Sequence, residues 1–319
     1  MLNTTEKIPL VAVVGPTASG KTGLGIEIAK KYNGEIVSAD SMQIYKYMDI
    51  ATAKPTLQEM QGIPHHLIDF LSPDQSFSVA DYVALAHQII ADIFNRGKLP
   101  VLVGGTGLYI SSLLDNIEFT PSGSDEKLRA ELSDICDKEG IQKLLDMLGK
   151  FDPESAARLS AQKNKSRIIR AIEIYKTTGE TMTESLKKSR LKETPYNDVR
   201  IGLTVCDRSF LYNRINSRVD YMIDSGLLNE TRRIMQMNLG KTAKMAIGYK
   251  ELIPYINGEV SYDDAINRLK METRRYAKRQ LTWFRRDNKI NWLYIDKFTQ
   301  EELFSQSCEF IEKTLDFGR

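Results

Sequence analysis

The 319-residue sequence predicts an α/β fold: a P-loop parallel sheet flanked by helices, with an inserted helical domain and a helical C-terminal region. Three observations carry this expectation. Short apolar runs alternate with helix-like segments through the first third of the chain. A phosphate-loop motif stands between the first run and the first helix. After Asp115 the strand candidates stop, and they return only near Asp198. Short buried runs separated by helices are what a parallel sheet covered on both faces requires.

Each element has its own justification. Ile8 to Val14 is an apolar run that ends in Gly15. Gly20 to Tyr32 has helical spacing, with Leu24, Ile28 and Ala29 on one side. Glu35 to Ala39 is a second short run, ending in Asp40. Val79 to Phe94 is again helix-like, and Leu99 to Val103 is a third strand that ends in Gly104-Gly105. Asp40 and the Gly104–Tyr109 loop both follow strand ends, the edge where such sheets bind ligands. From Ser124 to about Lys188 the chain is charged and helix-rich, with turn signals at Gly140, Gly149, Pro153 and Gly179. Val199, Ile201, Leu203 and Val205 alternate in a strand from Asp198 to Val205. Helices then run to about Arg286, broken near Gly226, Gly240 and Pro254, and Trp292 to Ile295 suits a late edge strand. The expected division is 1–114 for the first part of the core, 115–197 for the insertion and 198–319 for the rest of the core with basic helices.

Composition narrows the class. With 42% hydrophobic and 27% charged residues, a disordered or collagenous chain is excluded. No apolar run approaches the roughly 18 residues of a membrane span. The N-terminus lacks a targeting pattern, and Cys136, Cys206 and Cys308 are odd in number and widely spaced. A cytoplasmic protein is therefore expected. Net charge is only +2, so any preference for a charged partner must be local.

Gly15-Pro16-Thr17-Ala18-Ser19-Gly20-Lys21-Thr22 satisfies G-x-x-x-x-G-K-[ST] between a strand and a helix. Backbone N–H groups of such a loop point at phosphate oxygens, and the helix N-terminus adds positive partial charge. Lys21 would reach the outer phosphate and Thr22 would hold Mg²⁺. The loop announces a polyphosphate without announcing hydrolysis. His66-Leu67-Ile68-Asp69 is a poor, short version of the strand-Asp that NTPases use for magnesium, and a transferase could instead grip a diphosphate leaving group. Asp40 suits a general base, a magnesium ligand, a ribose contact or a plain turn cap. Adjacent His65 and His66 diverge and lack a third ligand, so they suit loop positioning better than a metal. The Gly104–Tyr109 loop would either let backbone approach a ligand or make a turn that needs positive φ. Arg214 and Arg218, four apart on one helix, suit a diphosphate clamp or a solvated face.

Arg268 to Lys289 holds nine basic residues against Glu272 and Asp287. Arg274, Arg275, Lys278, Arg279, Arg285 and Arg286 fall within an arc of about 140° on a continuous helix, with Ile266, Leu269, Thr273, Tyr276, Ala277, Gln280, Leu281 and Phe284 opposite. A one-sign stripe of this kind commonly meets a nucleic-acid backbone. Arg167 and Arg170 would extend that surface.

These motifs, in order, resemble the bacterial tRNA dimethylallyltransferase (tRNA isopentenyltransferase) family. The matching pieces are GPTASGKT (15–22), DSMQIY (40–45), TAKP (52–55), HHLID (65–69), VGGTGLY (103–109), RIIRAIEIY (167–175), DRSFLYNRINSRVDYM (207–222), AIGYKE (246–251) and RRYAKRQLTWFR (274–285). The chain ends without the zinc-finger extension of many eukaryotic relatives, as a bacterial member would. The resemblance implies transfer of a dimethylallyl group from dimethylallyl diphosphate to the N6 amine of the adenosine 3′-adjacent to the anticodon, by a monomer using Mg²⁺. It implies Asp40 as base, Thr17 near the donor, Lys21 on the leaving group, and Arg214 or Arg218 facing the diphosphate. It also implies contacts to the tRNA anticodon stem-loop from Asp40, Ser41, Met42, Gln43, Thr106, Arg129, Ser166, Arg167, Ile168, Ile169, Arg170, Ala246, Ile247, Gly248, Tyr249 and Lys250. Arg275, Lys278 and Arg279 would join them from the basic helix. The competing readings are an adenylate isopentenyltransferase on free nucleotide, a P-loop small-molecule kinase and a non-catalytic RNA-binding protein. The first two leave the basic stripe without a purpose, and the intact GKT loop argues against the third.

Overall fold

A computed structural model describes residues 7–117, 125–189 and 193–315. The chain begins with β1 (Ile8–Val14), α1 (Lys21–Lys31), β2 (Gly34–Ala39), α2 (Leu57–Met60), β3 (His65–His66), α3 (Val79–Asn95), β4 (Leu99–Gly104) and α4 (Gly107–Leu114). Five helices follow: α5 (Glu126–Glu139), α6 (Ile141–Gly149), α7 (Pro153–Ser160), α8 (Lys165–Thr178) and α9 (Met182–Ser189). The chain then forms β5 (Tyr196–Thr204), α10 (Arg208–Asp224), α11 (Leu227–Met235), a 3₁₀ turn (Ala243–Met245), α12 (Tyr249–Ile256), α13 (Tyr262–Phe284), β6 (Ile290–Tyr294) and α14 (Gln300–Thr314).

The sheet has the order β3-β2-β4-β1-β5-β6, and every pair is parallel. β1, β2 and β4 are buried along almost their whole length because helices cover both faces. Val11, Val13, Val101 and Ile201 pack on one face with Ile26 and Ile28 of α1 and Ile311 of α14. A second core joins Tyr45 and Met48 to Val219, Leu227, Tyr249, Leu252 and Leu269 of the later helices. β4 lies between β1 and β2, with Val14 and Ala39 both in register with Gly104. That register brings the phosphate loop, Asp40 and the Gly104–Gly105 turn to one edge of the sheet.

Residues 1–114 and 195–319 form one compact unit, and 115–194 form another. The second unit has its own core of Leu132, Leu144, Leu148, Ile168 and Ile172. Ser124, the expected start of the helical stretch, lies outside the described residues. β5 starts at Tyr196, two residues before the expected Asp198. Tyr196 is buried, its hydroxyl meets His87 Nδ1 at 2.5 Å, and Ile8 N–H donates to the Pro195 carbonyl at 2.9 Å. The polar pair Asn197-Asp198 had hidden this first turn of the strand. The late edge strand also starts two residues early, at Ile290, and pairs with β5.

Candidate active site

The phosphate loop owes its shape to left-handed residues and to ties from distant helices. Ala18 has φ 62° and Gly20 has φ 94°. Gly20 caps α1 without a side-chain bond, which leaves the helix N-terminus to the loop. Ser19 Oγ and Lys21 Nζ both donate to the Pro16 carbonyl, at 2.8 and 2.6 Å. From α10, Arg214 Nε donates to the Ala18 carbonyl at 2.8 Å.

A cavity of about 650 Å³ opens from this loop. Thr17, Ala18, Gly20, Lys21 and Thr22 line one part, and Asp40 to Gln43, Gly104 and Gly105 another. Met222, Leu227, Met245, Ile247 and Leu269 supply apolar wall. Arg218 is the arginine of the expected pair that lines the cavity, whereas Arg214 holds the loop backbone. Burial, then the Arg218 charge, push the Lys21 pKa down to about 7, with Asp40 pulling the other way. Arg218 is itself lowered by burial, while Asp40 and Glu59 favour its charged form. An anion entering here meets the Lys21 amine and the Arg218 guanidinium, neither of which pairs with a carboxylate among the described residues.

Asp40 caps its own turn: Oδ1 accepts from the N–H groups of Met42 and Gln43 at 2.8 and 3.2 Å. Its Oδ2 has no hydrogen bond among the described residues, and the residue lines the cavity. The turn-cap and chemical readings are therefore compatible, since one oxygen anchors the turn and the other is left without a partner among the described residues. Ser41 N–H donates to Thr106 Oγ1 at 3.0 Å. Gln43 Nε2 donates to the Thr52 and Ala53 carbonyls at 3.1 and 3.0 Å, which ties the Asp40 turn to a loop that also lines the cavity.

The structure decides several readings that the sequence left open. Asp69 does not reach the phosphate loop: its carboxylate pairs with Lys54 at 2.6 Å, and the 54% exposed side chain is absent from the cavity wall. His66 and the guanidinium of Arg96 hold buried Glu35, and Arg96 leads in drawing that carboxyl well below its usual range. Gly104, Gly105 and Gly107 have no positive φ; they are small because other protein atoms crowd them. An added Cβ would stand 2.2 Å from the Ala39 carbonyl oxygen, 2.1 Å from Gln280 Nε2 and 2.3 Å from Trp283 Cδ1, respectively. α13 ends at Phe284 with Arg285 as a helical C-cap, so the basic stripe leaves the helix at Arg286. Arg274 is half-buried and donates to Asn216 at 2.7 Å, while Arg275, Lys278 and Arg279 are exposed.

The expected RNA contacts divide in the same way. Ala246, Ile247, Gly248 and Lys250 line the cavity, but the Tyr249 side chain is buried and donates to Glu230 at 2.8 Å. In the helical unit, Ser166 and Arg167 are exposed, whereas Ile168 and Ile169 are core residues whose side chains cannot meet RNA. Arg129 and Arg170 both bind buried Glu173, at 2.8 and 2.7 Å, so their charges are partly neutralised within that unit.

Two supporting residues escaped the sequence reading. Buried Glu230 accepts from the N–H groups of Asp49, Ile50 and Ala51 at 3.0, 2.8 and 2.9 Å, besides Tyr249. Buried Gln280 accepts from Thr17 N–H at 2.8 Å and donates to the Gly105 carbonyl at 3.0 Å. A buried Glu amid helical polar sequence and a lone Gln on an apolar face were the only signals.

The chain is 51% identical over 292 residues to the tRNA dimethylallyltransferase of Bacillus subtilis (strain 168), covering 91% of this chain and 92% of that protein. The chain belongs to the tRNA dimethylallyltransferase family. It is likewise 46% identical over 314 residues to the tRNA dimethylallyltransferase of Thermoanaerobacter sp. (strain X514), covering 97% and 99% of the two chains. Family models described as IPP transferase and isopentenyl transferase match residues 43–287 and 8–75. The full-length tRNA isopentenylpyrophosphate transferase of Bacillus halodurans superposes with TM-score 0.71 at 43% identity, over 97% of this chain and 98% of that one. A eukaryotic dimethylallyltransferase acting on tRNA gives TM-score 0.80 at 28% identity, over 98% and 81%. Membership in this prenyl-transferring family favours tRNA modification over the kinase and free-nucleotide alternatives. No helix among the described residues is long and apolar enough to cross a membrane.

Proposed function

We propose that the protein transfers the dimethylallyl group of dimethylallyl diphosphate to the exocyclic N6 amine of the adenosine 3′-adjacent to the anticodon in tRNA. The allylic C–O bond breaks, the C–N bond forms, the N6 proton leaves and diphosphate departs. The observation that carries this reading is one cavity lined by Lys21 and Arg218 at the phosphate loop and by Asp40. Lys21, Arg218 and the loop amides suit the charge that gathers on the leaving diphosphate. Asp40 Oδ2 suits removal of the proton from a weakly nucleophilic aromatic amine. Met222, Leu227 and Leu269 suit a five-carbon apolar group. Thr17 stands on the same wall, where its hydroxyl can meet the donor.

The donor set fits magnesium held jointly with the diphosphate. Thr22 is exposed in the first turn of α1, on the cavity wall. Among the described residues no group of three His, Cys, Asp or Glu side chains could hold a metal alone. A hydroxyl completed by phosphate and water oxygens is a set that Mg²⁺ accepts. When bound, the ion would offset charge on the departing diphosphate.

The adenosine would be extruded from the anticodon loop to enter the cavity. Ser41, Met42, Gln43, Thr106, Ile247 and Lys250 are the expected contacts there, with Arg275, Lys278 and Arg279 on phosphates and Ser166 and Arg167 contributing from the helical unit. In this reading the protein acts as a monomer, in the cytoplasm with its tRNA. The test is incubation with radiolabelled dimethylallyl diphosphate and either unmodified tRNA or AMP. Label should enter tRNA alone, and Asp40→Asn should slow single turnover about 100-fold with donor affinity little changed. Label in AMP, or none in either acceptor, would overturn the reading.

A further inference from the structure

Gln280 lies on α13, one residue from Arg279 and four from Tyr276. Its carboxamide is buried, and both ends are committed. Oε1 accepts from Thr17 N–H of the phosphate loop at 2.8 Å, and Nε2 donates to the Gly105 carbonyl at 3.0 Å. The two partners fix the orientation of the amide, because a flip would set donor against donor and acceptor against acceptor. Beside it, the Tyr276 hydroxyl faces Thr106 and Gln280. Thr106 Oγ1 in turn accepts from Ser41 N–H, the residue next to Asp40. A chain of polar contacts thus runs from the donor-side loop, through one helix, to the turn that carries the carboxylate.

The crowding at the glycine turn says how tightly this chain is held. A Cβ on Gly105 would lie 2.1 Å from Gln280 Nε2, and one on Gly107 would lie 2.3 Å from Trp283 of the same helix. α13 is therefore seated directly on the β4–α4 turn. β4, between β1 and β2, sets the lateral spacing of the loop and Asp40. Beyond the strand ends, the only side chain among the described residues that hydrogen bonds both the phosphate loop and the Gly104–Gly105 turn is Gln280.

We propose that Gln280, supported by Tyr276, is a positioning residue that sets the separation between the donor-binding loop and the Asp40 turn, and so the approach of the amine to the allylic carbon. Gln280 also lines the cavity, but the role assigned to it runs through Thr17 and the Gly105–Thr106–Ser41 path rather than through either substrate's reacting atoms. The inference rests on the proposed placement of donor at the loop and acceptor at Asp40. Small displacements between reacting groups are costly: about 1 Å can lower a rate about 100-fold.

The experiment compares parent, Gln280→Met, Gln280→Glu and Tyr276→Phe in single-turnover transfer, with separate binding titrations for dimethylallyl diphosphate and tRNA. Met keeps the volume and removes both hydrogen bonds. Glu keeps the acceptor for Thr17 N–H but opposes the Gly105 carbonyl with a second acceptor. The expected result for Gln280→Met is a fall of about 10- to 100-fold in the single-turnover rate, with both affinities within about threefold of the parent. Gln280→Glu should fall as far, because half of the strut is reversed. Tyr276→Phe should lose less, about threefold to tenfold, since the helix stays seated. A rate within twofold of parent for Gln280→Met, with folding confirmed by a urea transition, would overturn the proposal. So would a loss confined to donor affinity, which would make Gln280 a binding residue of the loop alone. If instead the parent shows no transfer to tRNA, the functional reading fails and the premise of this inference fails with it.

Discussion

Lys21 carries a pH dependence that can be worked from its surroundings. It lines the cavity beside Arg218, and burial followed by that like charge push its pKa down to about 7. A bound diphosphate supplies opposite charge and so selects the protonated amine. At pH 8 about 0.9 of the free molecules would hold a neutral Lys21, about 0.5 at pH 7 and about 0.1 at pH 6. Binding dimethylallyl diphosphate should take up those same fractions of a proton. The sign follows: the bound pKa exceeds the free one, so affinity is full below the free value and is lost as pH rises through 7. Above it the loss approaches about tenfold per pH unit, until the bound pKa is reached. Isothermal titration calorimetry at pH 8, in buffers of different ionisation enthalpy, reads the uptake as a slope. Arg218→Gln removes one of the two causes and should reduce it. An uptake below about 0.2 at pH 8, or an affinity flat from about pH 6 to 8.5, would refute the reasoning.

Three further outcomes are expected. Replacing Arg275, Lys278 and Arg279 together with Gln should flatten the plot of log tRNA affinity against log salt by about two to three units, and an unchanged slope would remove α13 from the RNA surface. Glu230→Gln sets an NH₂ against backbone donors that the carboxylate now accepts, and should destabilise by about 2–4 kcal/mol in urea denaturation; a change below about 0.5 kcal/mol contradicts the four-bond account. Ile168→Ala opens a hole in the core of the helical unit and should cost about 2–5 kcal/mol, whereas an RNA-facing isoleucine would leave the urea midpoint in place.

The elements at the sheet edge were legible because each is local. A strand, GPTASGKT and a helix occupy adjacent positions, and Asp40 directly follows an apolar run. The inward face of α8 was legible too, since Ile168, Ile169 and Ile172 share a side by helical spacing; carrying over the RIIRAIEIY motif as a block obscured it. What was hidden depends on partners far along the chain. Gln280 sits among apolar residues, and nothing near it tells of Thr17, 263 positions away. The choice between Arg214 and Arg218 needs the course of the loop backbone, because the two share a helix face. Periodicity carried the basic stripe past Phe284, for a helical wheel has no means of showing where the helix stops.

The sheet has a consequence for how the protein is made. β1, near the start of the chain, pairs with β5, so Ile8 finds its neighbour only at Tyr196. During synthesis at about 5–20 residues per second, β1 can join β4 early while its other edge remains unpaired until the whole helical unit has left the ribosome. The Thr17 amide waits longer still, for a glutamine near the end. A nascent chain lacking α13 therefore carries the complete phosphate-loop sequence without the helix that braces the loop. A ribosome stalled before that helix would hold a protein able to build most of its sheet but not its finished site.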